Sequence, residues 1–373
     1  MIIDLFSGAG GLSYGFERAG FKIGLAVEKE KSFSESFMYN HPNCLCLNED
    51  ITKLECEHVA KNYIKNKKID GIIGGPPCQG FSTVGNRKID DPRNTLIYFF
   101  MQWVDYFKPN FYLMENVSGI LSMAGGKVKK KIQEIYNEMG YSCIIKKLNA
   151  ANYGVPQLRQ RVFFIGSRDD SIKTFKIPKT NRKDIAQRTL FERHDLPRYL
   201  TVRDAISDIL EMPPFTQDFE NDLAKDYSLE PKTKYQEKMR KNSKALYEHF
   251  APDHSRLVIE RISHIKQGEN HSSLPKKYQL SSGYPNIYGR LHLDNPADTI
   301  TGNCGCVSAP GRFIHPIQDR AISVREAARL QSFPDIYRFF GNLSERYKQV
   351  GNAVPPLLSF AIAKVLHSQY VVV

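Results

Sequence analysis

Short apolar runs rich in Val, Ile and Phe alternate with segments of helical period over the first half of the chain. Seven runs predict buried strands, at residues 2–6, 22–27, 44–47, 69–74, 111–115, 143–148 and 161–166. Strands that alternate with helices are typical of a parallel sheet with helices on its faces. The pattern therefore predicts an α/β fold for this half.

Four helices have clear sequence signals. The apolar residues within 94–107 form one stripe of a helix, which begins at a capping Asn and stops before Pro109. A second stripe, from Ile132 to Met139, closes at Gly140. Ser323 and Glu326 form a capping box that predicts a helix through Gln331, and a last helix is expected after residues 355–356, both Pro.

Composition and charge narrow the class of protein. No run approaches the roughly 20 apolar residues that a membrane span requires, and no basic signal region follows Met1. Lys and Arg number 52 against 40 Asp and Glu, a net charge of +12 that favours a polyanionic partner. Seven Cys, an odd number in a long chain, indicate a reducing compartment. We expect a cytoplasmic protein.

The residue composition of the chain changes after Ser167. Basic residues are frequent from 173 to 193, and the stretch 213–231 is acidic and contains Pro. Length alone already suggests two domains. We predict a first domain of residues 1–180 plus 340–373, a smaller second domain of 181–320, and a linking helix at 321–339.

A glycine-rich turn follows the first predicted strand, with Gly8, Gly10 and Gly11 before a helix. Glu28 ends the second strand, where a carboxylate can accept both ribose hydroxyls, and Asp50 follows the third and could receive an adenine amino group. A dinucleotide fingerprint would need Gly where Ser13 stands. The turn fits adenosine with a small charged tail, such as S-adenosylmethionine, although a plain tight turn is the alternative.

A thiol is expected at the same sheet edge. The fourth strand ends in GGPPCQGFS at 74–82, where two prolines keep Cys78 out of the ladder. Glu115 ends the neighbouring strand, and a carboxyl beside a thiol favours acid-assisted nucleophilic chemistry. A solvated loop Glu is the alternative, and the other six cysteines are expected to be small core residues.

Five motifs follow one another along the chain: DLFSGAGGLS at 4–13, GGPPCQGFS at 74–82, ENV at 115–117, QLRQR at 157–161 and QVGNAVPP at 349–356. Together they resemble the cytosine-5 DNA methyltransferase family of the bacterial restriction-modification type. SVREAARLQSFP at 323–334 resembles a further family motif. The resemblance covers residues 1–167 and 320–373. It implies a Rossmann-like methyltransferase sheet, with 181–320 as a target-recognition domain.

The resemblance implies a covalent mechanism. Cys78 adds to carbon 6 of a cytosine while Glu115 hydrogen-bonds or protonates ring nitrogen 3, so that carbon 5 can take a methyl group. Arg161 would contact the carbonyl oxygen of the base, and Arg159 would support the catalytic loop. Ordinary salt bridging is the alternative for both arginines.

The resemblance also implies which residues bind S-adenosylmethionine. Besides the glycine turn, they are Phe6, Glu28, Asp50, Ile51, Pro77, Leu96 and Asn352. Lys29 departs from the family pattern, because many relatives place an apolar or aromatic side chain there against the adenine. The resemblance therefore implies ribose binding by Glu28 but not this packing on the adenine.

Duplex DNA is the expected partner, with the target base flipped out of the stack. The loop 80–93 could close over it, and Arg87 and Lys88 could hold phosphates or simply be solvated. In the second domain Asn286, Tyr288 and Arg290 are candidates for groove contacts, but a structural loop is the preferred interpretation.

Two other functions are alternatives. A tRNA cytosine-5 methyltransferase would share the catalytic set, but that branch tends to have Pro where this chain has Gly80. A catalytically inactive DNA-binding accessory protein would be expected to lose Cys78 or Glu115. We expect a nucleoid-associated monomer that acts beside a cognate restriction endonuclease. No metal is expected, since Cys-x-x-Cys pairs are missing near His58 and at 304–306.

Overall fold

The structure is a computed structural model that describes residues 1–65, 67–77, 95–181, 196–215, 224–280, 284 and 286–370. The chain forms two compact units. The first unit contains residues 1–149, 160–178 and 358–373, and the second contains 150–159 and 179–357. Each unit is thus assembled from segments that are distant in the sequence.

A seven-stranded sheet forms the centre of the first unit, in the order β3-β2-β1-β4-β5-β7-β6. Its strands are β1 Ile2–Leu5, β2 Ile23–Val27, β3 Leu45–Leu47, β4 Gly71–Gly74, β5 Phe111–Val117, β6 Ser142–Asn149 and β7 Gln160–Ser167. All seven predicted strands are confirmed. The predicted parallel pairing is confirmed for β1 to β5 and is wrong for β7, which pairs antiparallel with both β5 and β6.

Helices flank this sheet. They are α1 Gly11–Arg18, α2 Lys31–Asn40, α3 Cys56–Val59, α4 Thr95–Phe107 and α5 Lys127–Glu138. The predicted helices at 94–107 and before Gly140 are confirmed as α4 and α5. Short 3-10 helices occur at Ile51–Lys53, Ser118–Leu121, Met123–Gly126, Ala150–Tyr153 and Asp170–Thr174, and Ala60–Ile64 is a π-helical turn. Apolar side chains of the central strands pack with α4 and α5 in one buried core.

The register of the strands brings the predicted site residues of this unit to one edge. Leu5, the last residue of β1, lies opposite Val27 of β2 and Gly74 of β4. Gly74 in turn pairs with Met114 of β5. The residues that follow these strands therefore meet at the carboxyl edge of the sheet, where open α/β sheets bind ligands.

Short helices and strands make up the second unit. The helices are α6 Val202–Ile206, α7 Lys234–Arg240, α8 Arg256–Ser263, α9 Val324–Leu330 and α10 Leu343–Asn352, with 3-10 helices at His271–Ser273 and Lys276–Tyr278. The strands are β8 Ala224–Lys225, β9 Leu246–Tyr247, β10 Gly289–Arg290 and β11 Arg312–Ile314. The capping box at Ser323 is confirmed and starts α9, all of whose residues are buried.

The unit boundaries differ from the predicted domain boundaries. Residues 150–159 and 340–357 belong to the second unit, which is therefore as large as the first, whereas a smaller second domain was expected. The physical reason is a set of buried hydrogen bonds. Arg159, which is 1% exposed, donates to the carbonyl oxygens of Ile300, Gly351 and Ala353 at 2.7 to 3.0 Å. These bonds tie both segments to the centre of the second unit.

The last described helix is α11, Pro356–Tyr370, which begins at Pro356 as the Pro signal predicts. The stretch Leu343–Tyr370 is long and apolar enough to cross a membrane by length and composition alone. However, Ala353 has extended dihedral angles that separate α10 from α11. In addition, 56% of the most apolar window is buried inside the molecule, as in core helices of globular proteins.

Candidate active site

The glycine turn after β1 has a strained, left-handed backbone. Phe6 has φ 58°, Gly8 56° and Gly10 95°. Such values are unfavourable for a residue with a side chain, and strain of this kind is concentrated at functional sites. Gly10 then caps α1, which starts at Gly11. The turn thus directs the chain from strand to helix within five residues of Leu5.

Glu28 holds this turn in place. Its side chain is 8% exposed and accepts hydrogen bonds from the Gly8 and Glu30 amides, both at 2.8 Å. Asn48 supports its backbone by donating to the carbonyl oxygens of Glu28 and Lys29. Burial raises the pKa of the Glu28 carboxyl, and the amide hydrogen bonds oppose that shift. The carboxylate keeps lone pairs for further donors such as ribose hydroxyls.

Asp4 supplies an orphaned acceptor below the same turn. The side chain is fully buried, and its Oδ2 accepts a 2.6 Å hydrogen bond from the Ser13 hydroxyl. Its Oδ1 is buried without a hydrogen-bond partner among the described residues. Burial raises the pKa of Asp4 to about 8. Because a buried polar atom normally has a partner, this oxygen indicates a polar ligand atom or a water beside the turn.

Asp50 is bound by residues of the protein itself. Its Oδ1 accepts from the amide and hydroxyl of Thr52, and its Oδ2 forms a 2.9 Å ion pair with Lys29. The Lys29 hydrogen bond lowers the pKa of Asp50 to about 2. Lys29, the residue that departs from the family pattern, therefore shares the carboxylate expected to receive the adenine amino group.

Apolar side chains complete this part of the edge. Ile51 is 4% exposed and lies in the core of the first unit, and Phe6 and Leu96 are partly buried against the same core. Pro77 is exposed at the end of the chain segment that follows β4. Acidic acceptors, an open glycine turn and partly exposed apolar groups together fit an adenosine with a cationic tail.

The carboxylate of Glu115 is held by an arginine. The Arg161 Nε lies 2.9 Å from the Glu115 Oε1, with the two side chains 15% and 12% exposed. Burial lowers the pKa of the guanidinium, and Glu115 counteracts the shift. The antiparallel strand β7 makes this pair, because Val117 of β5 lies opposite Arg161.

The segment that leads to Cys78 runs directly past Glu115. A Cβ on Gly75 would approach the Glu115 Oε2 to 3.0 Å, so a glycine allows the close passage. Asn116 is 3% exposed and donates to the Pro76 carbonyl at 3.1 Å. Cys78, Arg87, Lys88 and the rest of the loop 80–93 lie outside the described residues. Pro77, the residue before Cys78, is the last one described in this segment, and it follows the residues that contact Glu115 and Asn116.

Comparisons with known proteins agree with this arrangement. The model of the C-5 cytosine-specific DNA methylase family matches residues 1–368. The chain belongs to this family. It is 40% identical to the type II methyltransferase M.DdeI of Desulfomicrobium norvegicum, over 97% of this chain and 87% of that protein. It is 37% identical to the type II methyltransferase M1.HphI of Haemophilus parahaemolyticus, over 97% and 85% of the two chains.

Solved structures show the same fold. A protein assigned as a DNA modification methyltransferase, encoded within an E. coli prophage, superposes with a TM-score of 0.77 at 30% identity over 98% of both chains. The DNMT2 of Spodoptera frugiperda gives a TM-score of 0.61 at 17% identity over 98% of both chains, a likeness of fold alone. The present chain is a DNA cytosine-5-methyltransferase with a Rossmann-like sheet, and its family uses S-adenosylmethionine as methyl donor.

In this methyltransferase two predicted site residues belong to the second unit. Arg159 is buried there on the carbonyl oxygens described above, and Asn352 is the exposed last residue of α10. Gln157 of the same motif bonds the Leu330 carbonyl and the Gln331 side chain. The first arginine of the motif therefore organises backbone of the second unit, and the second arginine, Arg161, holds Glu115.

Two candidates for groove contacts are structural residues. Tyr288 is 4% exposed, and Arg290 is 5% exposed. The Arg290 guanidinium donates to four backbone carbonyls, those of Ile262, Ile265, His315 and Gln318, and to the Asp319 carboxylate. For Tyr288 and Arg290 the structural interpretation is therefore confirmed, because their side chains are buried, and a groove contact by either is excluded. Asn286 is exposed.

The cysteines differ in part from expectation. Cys44, Cys46, Cys56 and Cys304 are buried, as expected for core residues. Cys143 is partly buried, and the expectation is wrong for Cys306, which is exposed. Within the described ranges, no group of three or more His, Cys, Asp or Glu side chains is arranged to hold a metal ion.

Sequence reasoning assigned no role to Asp4, Asn48 or Asn116. Asp4 and Asn116 lie inside the motifs DLFSGAGGLS and ENV, and this position is the sequence feature that could have identified them as functional. Asn48 follows β3 by one residue, and only the fold brings it to the backbone of Glu28.

Proposed function

We propose that this methyltransferase modifies carbon 5 of a flipped-out cytosine in a short, specific sequence of duplex DNA. Cys78 is the nucleophile, and Glu115 and Arg161 bind the cytosine ring. The observation that carries the proposal is the Arg161–Glu115 ion pair of 2.9 Å at the sheet edge where the chain turns towards Cys78.

Glu115 is the residue that activates the ring. Its carboxyl group, oriented by the Arg161 Nε, hydrogen-bonds or protonates ring nitrogen 3 of the cytosine. The remaining guanidinium N–H groups of Arg161 can donate to the carbonyl oxygen at carbon 2. Protonation at nitrogen 3 draws electrons from carbon 6 and so favours attack there.

Cys78 adds as a thiolate to carbon 6, which moves electron density to carbon 5. When bound, S-adenosylmethionine supplies an electrophilic methyl group for that carbon. Loss of the proton from carbon 5 to a base then re-forms the ring double bond and expels the Cys78 thiolate. Neither Cys78 nor Glu115 is consumed in the cycle.

The cofactor is assigned to the glycine turn and its neighbours. Glu28 binds the ribose hydroxyls, Asp50 the adenine amino group, and Phe6, Ile51, Leu96 and Pro77 pack on the adenosine. Gly8, Gly10 and Gly11 leave room for the cationic tail to approach the backbone of the turn. Asn352 is assigned to the same cofactor, and the reaction needs no metal.

The second unit is assigned to recognition of the DNA sequence. The relatives M.DdeI and M1.HphI are type II methyltransferases, which supports a role as the modification enzyme of a restriction-modification system. The cognate endonuclease would share the recognition sequence and need not contact this chain. The enzyme acts as a monomer on the nucleoid in the cytoplasm.

Trapping with a mechanism-based substrate tests the proposal. Duplex DNA that carries 5-fluorocytosine should give a covalent protein adduct after methyl transfer, and Cys78→Ser should abolish the adduct. A Cys78→Ser protein that still traps DNA would refute the nucleophile. Glu115→Gln should slow single-turnover methyl transfer about 100-fold or more, as for loss of a general acid, with little change in DNA binding. A parallel assay with tRNA excludes the RNA substrate if only DNA is labelled.

A further inference from the structure

A dense group of lysines lies at the start of α5. Four of the first five residues of this helix are Lys, and its first turn contains no acidic residue. We call them the carboxyl-edge lysines: Lys127, Lys129, Lys130 and Lys131. Lys130 lies 3.8 Å from the exposed Glu134. Among the described residues, no acidic group lies within ion-pair distance of the other three.

The fold places this group at the edge that carries the active site. β5 ends at Val117, two residues after Glu115, and two 3-10 helices, Ser118–Leu121 and Met123–Gly126, lead directly into α5. α5 therefore begins at the carboxyl edge of the sheet. β6 also ends at this edge, where Leu148 lies opposite Arg161. Lys146 and Lys147 are among the last four residues of this strand.

Apart from the Lys130–Glu134 pair, the lysines do not stabilise the helix in which they stand. The amino end of a helix carries a partial positive charge, so cations in the first turn are unfavourable, and adjacent like charges repel. Three of the four side chains are exposed, and that of Lys129 is partly buried, so core packing does not explain them. A polyanion that arrives at this edge would compensate the charge.

We propose that the carboxyl-edge lysines hold phosphates of the duplex that flanks the flipped cytosine. The inference rests on the proposed action on duplex DNA, and it adds a non-specific binding surface in the first unit. A flipped base remains attached to its backbone, so the phosphates must lie near the edge where Glu115 meets the ring. Such contacts position the DNA without reading its sequence.

Salt dependence of DNA binding tests the proposal. The variant replaces all four lysines with Gln, which has a similar helix propensity. Binding of a random-sequence 30-base-pair duplex is followed by fluorescence anisotropy from about 50 to 200 mM NaCl. Each lost phosphate contact should reduce the slope of log K against log salt by about 0.9, so loss of two or more contacts reduces it by about 2.

The chain offers a matched control of equal charge. Lys61, Lys65, Lys67 and Lys68 are exposed in the segment that leads into β4, at the amino edge of the same sheet. Their replacement with Gln should change the slope by less than about 0.5, since no phosphate contact is lost. An equal loss in both variants would show a general effect of net charge and would overturn the proposal.

Two further readouts separate the alternatives. The carboxyl-edge variant should unfold at the same or a higher urea concentration than the wild type, because it loses cations next to the helix dipole. Its single-turnover methyl transfer at saturating DNA should be unchanged, with a higher DNA concentration needed for half-saturation. An unchanged salt slope would overturn the proposal. A wild-type enzyme that binds no duplex DNA would instead overturn the proposed function itself.

Discussion

A residue at the sheet edge can bind a ligand or support the protein's own backbone, and the neighbouring sequence does not show which. Glu28 and Asp50 were expected to bind a nucleoside, and both also hold the protein's own backbone. Arg159 and Arg161 are two positions apart, yet the former is buried on carbonyls of the second unit and the latter pairs with Glu115. The distinction arises from the partner that the fold supplies.

Asp4 gives the clearest residue-scale prediction. Its pKa is raised to about 8 in the folded protein, because burial disfavours the charged form. The folded state therefore keeps a proton that the unfolded chain releases above about pH 4. Stability from this proton is complete below pH 4 and is lost as the pH rises towards 8.

Asp4→Asn, which has no titrating group, isolates this effect. The free energy of unfolding of the wild type, relative to Asp4→Asn, should fall between pH 5 and 8 with a slope of at most about 1.4 kcal/mol per pH unit. Urea unfolding of both proteins at several pH values measures it, since other titrating groups cancel in the difference. Parallel curves for the two proteins would contradict the assignment.

Elements of the fold were largely predictable where their signals are local. The seven strands, α4, α5 and the Ser323 capping box follow from apolar periodicity and capping residues close in the sequence. The antiparallel direction of β7 does not, because the apolar run at 161–166 has the same pattern in either direction. Only its pairing with β5 and β6 decides the direction.

The buried capping box of α9 leads to an element-scale prediction. The Ser323 hydroxyl accepts from the Glu326 amide and hydrogen-bonds the His249 Nδ1 at 3.0 Å. Ser323→Ala should lower the free energy of unfolding by about 2 to 3 kcal/mol, since the cap is lost and buried groups remain unpaired. Chemical denaturation measures the change.

Asn342 provides the control for this prediction. It forms the same type of capping box with Glu345 at the start of α10, but it is exposed. Asn342→Ala should cost only about 1 kcal/mol, because water replaces the lost bonds. Equal losses in the two variants would show that burial adds nothing at Ser323.

At the scale of the whole molecule, buried charges at long sequence separation organise the second unit. Arg329 of α9 pairs with Asp208 and Asp335, and Glu248 pairs with Arg338 and Arg346, all with little or no exposure. A buried ion pair is strongly destabilising when one partner is removed. The net charge of +12 therefore includes arginines that are unavailable to DNA.

A substitution of Arg159 tests whether its hydrogen bonds hold residues 150–159 in the second unit. Arg159→Met removes the donors for the Ile300, Gly351 and Ala353 carbonyls and should lower the free energy of unfolding by about 3 kcal/mol or more. Arg203→Met, which breaks an exposed ion pair with Asp294, should cost less than about 1 kcal/mol. If Arg159→Met lost activity at unchanged stability, a direct role in the catalytic loop would replace the structural one.

Local sequence is enough to define the alternation of strands and helices, the glycine turn, the motif that contains Cys78 and the family to which these belong. Such features are encoded over a few neighbouring residues, by periodicity, caps and turn chemistry. The tertiary structure alone decided that β7 is antiparallel and brings Arg161 to Glu115, that Arg290 is internal, and that residues 150–159 and 340–357 join the second unit. These depend on contacts between residues far apart in the chain, which no local pattern specifies.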